Sequence, residues 1–152
     1  MKKITLLLST LLLITEAQAS GGISAPTNVN AKWKSECSAC HVAYPAQLLP
    51  VASWDAIMKN LDKHFGSDAS IDAASTAEIL AYLNTNASHR KFETTTKPIL
   101  RITETRWFQS QHDEVPNRLW KDPRVKSASN CAACHTKADS GNFNERFVHL
   151  PR

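Results

Sequence analysis

The 152 residues include 18 Lys and Arg against 14 Asp and Glu, are 42% hydrophobic, and contain four Cys and six His. That makes one ordinary domain or two very small ones, and it excludes a disordered tail, a collagen-like fibre and a dense disulfide scaffold. No run of about 18 uncharged apolar residues occurs, which excludes a conventional spanning helix.

Lys2 and Lys3, the apolar run Ile4–Ile14 and the small-x-small Ala17-Gln18-Ala19 read as a secretory signal over residues 1–19, of a bacterial kind, with the mature chain starting at Ser20 in the periplasm. No membrane span is expected in the mature chain, whose 16 basic and 13 acidic side chains leave net +3. The excess is scattered, which argues against nucleic acid as a partner. Residues 20–35 read as an entry strand or loop. A short helix is expected over Cys37–Val42, stopping before Pro45.

Helices follow at about 53–65, where Trp54, Ile57, Met58, Leu61 and Phe65 recur at helical spacing, and at about 75–85, opened by the capping pair Ser75 and Glu78. Gly66 reads as the terminator between them. The polar run 86–97 with Pro98 reads as a linker. Beyond it a helix is expected near 105–115 and another near 130–136. Trp33, Trp54, Trp107 and Trp120 are candidate packing partners. No strand alternation appears, so the chain reads as mainly α, divided into a signal peptide (1–19), an N-terminal unit (20–92) and a C-terminal unit (93–152).

All four Cys fall in two copies of one pattern. Cys37-Ser38-Ala39-Cys40-His41 and Cys131-Ala132-Ala133-Cys134-His135 both read C-x-x-C-H, the attachment signature of c-type haem. Two thiols at this spacing add to the two vinyl groups of a porphyrin, and the following His reaches the iron. A four-thiolate zinc site would place its pairs about 15–20 residues apart and would not follow each with His. A thioredoxin-like pair needs a strand–helix alternation that is missing. Disulfides within C-x-x-C would staple nothing distant. Two covalently bound haem c groups are therefore expected, on Cys37, Cys40, Cys131 and Cys134.

His41 and His135 are then the proximal iron ligands, leaving His64, His89, His112 and His149 for two distal positions. Met58, the only Met besides the initiator, lies in the apolar stripe of its helix and reads as core. His64 ends that helix at the edge of the stripe. His112 shares a helix face with Phe108. His64 and His112 are favoured, with His149 in reserve and His89 read as surface. Tyr44, three residues after His41, reads equally well as a core aromatic or as a bridge between the haem edges. Paired imidazoles would close both irons and lower their potentials, leaving outer-sphere electron transfer. Units this small hold little core unaided, so the chain without haem is expected to be largely unfolded.

The stretches CSACHVAYPAQLLPVASWDAIMKNLDKHFGSDASID, RITETRWFQSQHDEV and NCAACHTKADSGNF resemble the small dihaem cytochrome c family of proteobacteria over nearly the whole mature chain. The resemblance implies two small haem domains, the first class I cytochrome c-like and the second an irregular helical haem-binding segment. It implies bis-His ligation and an aromatic between the haems, which here matches Tyr44. It also implies electron donation to redox partner proteins, such as an oxygen-binding monohaem cytochrome or a membrane cytochrome b. The function expected is a soluble periplasmic dihaem electron carrier of low potential rather than an enzyme. The alternative is a dihaem enzyme or gas-binding protein with one open iron site.

Overall fold

The computed structural model describes Ile23 and residues 28–90, 92 and 96–151; the signal segment 1–19 lies outside the described residues. The architecture is mainly α, with short 3-10 turns between helices and no named strand among the described residues. Helix α1 spans Ala31–Cys37, α2 Val51–Met58, α3 Ala73–Thr85, α4 Arg106–Gln111 and α5 Asn117–Trp120.

Helix α1 takes up the last residues, from Ala31, of the segment expected as an entry strand or loop. Only Trp33 signals it in the sequence, and Asn30 starts it by accepting a hydrogen bond from the Trp33 amide at 2.7 Å. The buried Trp33 ring meets Tyr82 of α3 at 5.1 Å between centroids. The helix expected over Cys37–Val42 is absent: α1 stops at Cys37, and the first motif continues through a turn. Pro45 bars helical backbone at Tyr44, and the few residues between are too short to nucleate a helix of their own.

Helix α2 begins directly after Pro50 and ends at Met58, earlier than its apolar stripe suggests. Its Trp54 indole donates to the Ala46 carbonyl at 2.8 Å. Helix α3 opens two residues before Ser75, because Asp72 is the true cap: its carboxylate accepts from the Ser75 amide at 2.9 Å and from the Ser75 hydroxyl. Ile79 and Leu83, one turn apart on α3, are fully buried against α2, Leu49 and Trp33. Met58 is buried in the same cluster, as its helical register implied.

Between α2 and α3 the chain makes a 3-10 turn over Leu61–Lys63 and then reverses. Phe65 (φ 51°) and Gly66 (φ 97°) take left-handed backbone, and the Ser67 amide closes the reversal on the His64 carbonyl at 3.1 Å. A Cβ at Gly66 would meet nothing within 4 Å, so the dihedral, not space, favours glycine there.

The second half has little regular structure. Helix α4 is capped by the buried Thr105 hydroxyl, which accepts from the Phe108 amide at 3.1 Å; the helix stops before His112, short of the expected 115. The second attachment helix near 130–136 is only a 3-10 turn over Cys131–Ala133, and further 3-10 turns cover Ala138–Ser140 and Glu145–Phe147. Alanine favours helix, but here the backbone is held by local turn bonds, including Asn130 Nδ2 to the Val125 carbonyl and the His135 amide to the Cys131 carbonyl.

Among the described residues several contacts tie the halves together, one of them the Arg101 guanidinium 4.3 Å over the Phe65 ring. The Tyr44 hydroxyl donates to the Ser129 carbonyl at 2.7 Å, and the Lys34 ammonium to the Asp139 carbonyl. The Arg90 guanidinium lies 4.6 Å over the Trp107 ring while donating to the Gln47 carbonyl.

Candidate haem sites

The turn after α1 carries Cys37, Cys40 and His41 together. The His41 Nδ1 lies 2.8 Å from the Val42 carbonyl. A carbonyl only accepts, so Nδ1 carries the proton and the Nε2 lone pair is left for a metal. The 3-10 turn and left-handed reversal bring His64 back toward it. The two ring centroids lie 6.3 Å apart with planes inclined by 25°. Two imidazoles on opposite sides of one metal, each nitrogen about 2 Å from it, hold their centroids about 6 Å apart.

The same arrangement recurs in the second half. The His112 Nδ1 donates to the Phe108 carbonyl at 2.8 Å, one turn back on α4, again freeing Nε2. The His112 and His135 centroids lie 6.1 Å apart, with planes inclined by 69°. Burial, and then the facing imidazole, lower the pKa of His64 and of His135. Neutral rings are the form that binds metal.

The sequence-predicted residues thus fall into two groups: Cys37, Cys40, His41 and His64, and Cys131, Cys134, His112 and His135. His89 and His149 are exposed and belong to neither. Tyr44 stacks on His41 at 4.5 Å and 16° while its hydroxyl reaches Ser129, two residues before Cys131. Its pKa is raised, by burial first and the Cys131 thiol second.

The four thiols are unpaired. Burial pushes Cys37 and Cys131 up to about 11, with Glu36 adding at Cys37 and Cys134 at Cys131. A redox-active C-x-x-C pair has the opposite shift at its attacking thiol.

Some residues of the second group were not legible as such. Phe143, 5.3 Å from His135, and Val148, bridged to it by backbone, come from loops with no periodicity. They line an apolar cavity with Phe108, Trp120 and both His. Ile23 and Leu48 reach the same cavity from the first half, a long-range approach that no local signal encodes. Beside His64, Phe65 lies edge-on at 4.9 Å.

The donor set fits haem. Among the described residues no group of three or more His, Cys, Asp or Glu is arranged to hold an ion by itself. Two imidazoles are too few for iron, and the four nitrogens of a porphyrin complete the shell.

A family model described as dihaem cytochrome c matches residues 33–143. The chain belongs to the dihaem cytochrome c family. Among solved structures it is similar to a diheme cytochrome c from Rhodobacter sphaeroides, at 46% identity and a TM-score of 0.69, over 76% of this chain and 97% of that one. It is also similar to the diheme cytochrome from Shewanella baltica, at 42% identity and a TM-score of 0.69, over 80% of this chain and 93% of that one. No curated protein sequence matches it. As a dihaem cytochrome c the chain takes two haem c groups and is an electron-carrying cytochrome with redox partners. No helix among the described residues is long and apolar enough to cross a membrane.

Proposed function

We propose that the protein is a periplasmic electron carrier in which both irons are closed by paired imidazoles. Cys37 and Cys40 anchor one haem, with His41 proximal and His64 distal; Cys131 and Cys134 anchor the other, with His135 proximal and His112 distal. The observation that carries this reading is the repeated imidazole spacing, 6.3 Å and 6.1 Å, beside each C-x-x-C. Residues 20–92 and 93–152 would each hold one haem.

Haem supplies a one-electron Fe(III)/Fe(II) couple when bound. The protein's own groups do the rest. The Val42 and Phe108 carbonyls orient His41 and His112 and keep their Nε2 lone pairs free. Phe108, Trp120 and Phe143 keep water from the second site. Tyr44 sits between the two attachment segments and fixes their separation. Two imidazoles in place of His and Met set a low potential, and no side reaction is open at a filled iron.

The physiological partner is another redox protein, such as an oxygen-binding monohaem cytochrome or a membrane cytochrome b. Each ferric haem with its two propionates brings about −1, so the loaded mature chain is near neutral and docking depends on local charge patches. A pyridine-haemochrome assay with a near-infrared spectrum tests the reading. Two haems per chain and a His/His charge-transfer band are expected, with slow, partial carbon monoxide binding to the reduced protein. Fast, full binding at either iron would point instead to an enzyme or gas-binding protein.

A further inference from the structure

The four imidazoles are not supported alike. His41 and His112 give their Nδ1 protons to the Val42 and Phe108 carbonyls, each at 2.8 Å. His64 is half-buried, and solvent reaches its ring. His135 differs from all three: its Nδ1 is buried and has no hydrogen-bond partner. Buried polar groups are rarely left so, and an orphan at a ligand position has a chemical consequence. An acceptor on Nδ1 makes an imidazole a stronger electron donor and stabilises the more positive, ferric iron. Without one, His135 donates less and the ferrous state gains.

The surroundings act in the same direction. His41 and Cys40 are exposed at the surface, whereas His135 is half-buried beside Phe143 in the apolar cavity walled by Phe108 and Trp120. A ferric haem core with two neutral ligands carries a positive charge that its ferrous form lacks, and an apolar enclosure disfavours the charged form.

We infer that the two haems are ordered in potential by His135: the haem it faces is reduced first and holds the electron, and the haem between His41 and His64 passes it on. Transfer moves one electron from the ferrous iron beside His41 to the ferric iron beside His135. The first is oxidised and the second reduced, with no bond made or broken and no proton required. The inference rests on the haem assignment proposed above.

The structure also supplies a label for each haem. Near-parallel imidazoles, inclined by 25° at His41 and His64, act on the same iron d orbital and split the pair. Crossed imidazoles, inclined by 69° at His112 and His135, act on both and leave them nearly degenerate. The low-spin ferric EPR spectrum should then contain one rhombic signal and one strongly anisotropic signal.

The test is an EPR-monitored redox titration of the full holo-protein. As the potential falls, the anisotropic signal should disappear first, its ferric population several-fold below that of the rhombic one when half the haem is reduced. His64→Met fixes the assignment independently of the angles, because it alters only the signal of the first haem; if that variant does not mature, His112→Met labels the other. The inference is overturned if the His64-sensitive signal vanishes first or both fall together. Failure of the bis-His reading looks different, as a high-spin ferric signal or a His/Met charge-transfer band.

Discussion

Residues 31–90 bury Trp33, Leu49, Trp54, Ile57, Met58, Ile79 and Leu83 against one another, with α2 and α3 packed face to face. Residues 98–151 bury Phe108, Leu119, Val125 and Ala138 and are otherwise held by turns and caps. Yet each half brings two imidazoles to the same separation. The first does so on a scaffold of side chains buried against one another, each fully buried Leu or Ile contributing roughly 1.5–3 kcal/mol. The second lines its site with Trp120, Phe143 and Val148, which turn toward the cavity rather than toward a core. On the haem assignment proposed above, one half would be a small helical core with a haem beside it, and the other would depend on the haem for its interior.

The largest expected effect breaks that dependence. Cys131→Ala with Cys134→Ala removes the second attachment. Limited proteolysis with mass spectrometry should then find cuts throughout 99–151 while α1 to α3 stay protected. Equal resistance of both halves would abolish the contrast. Next, Ile79→Ala empties a fully buried site on α3 and should cost about 2–5 kcal/mol in a denaturant melt, with the EPR signal of the second haem unmoved.

Smaller is Tyr44→Phe, which removes the hydrogen bond to the Ser129 carbonyl and should cost about 0.5–1.5 kcal/mol. Its sharper readout is amide exchange at 127–131, which should speed up if Tyr44 ties the halves together. The smallest effect is in acid. Arg124 holds the Asp122 carboxyl down to about 2, below its ordinary 3.8. A depressed folded pKa gives stability that is present above the ordinary value and lost as pH falls through about 2. Chemical denaturation of wild type and Asp122→Asn should therefore converge at the acid end and diverge slightly above it.

Helix positions were legible where apolar residues recur. Trp54, Ile57 and Met58 announced α2, and Ile79 and Leu83 announced α3. Boundaries were less so. Ser75 and Glu78 resemble a capping pair, but Asp72 captures the Ser75 amide first, a choice between two adjacent caps that the pattern does not rank. Helix α1 went unread because a single Trp gives no period. Both attachment segments were expected to be helical, whereas Pro45 and the turn bonds around Asn130 fix them as turns.

The sequence by itself determined the number and kind of attachment points, because C-x-x-C-H is a local covalent pattern that needs no partner from elsewhere in the chain. Tertiary structure alone decided that the ring of His64 faces His41 and that of His112 faces His135. It also decided that Ile23 and Leu48 close the second cavity and that the His135 Nδ1 is left without an acceptor. Those relations join residues far apart in the chain, and only the packing that brings them together fixes distance, plane angle and burial.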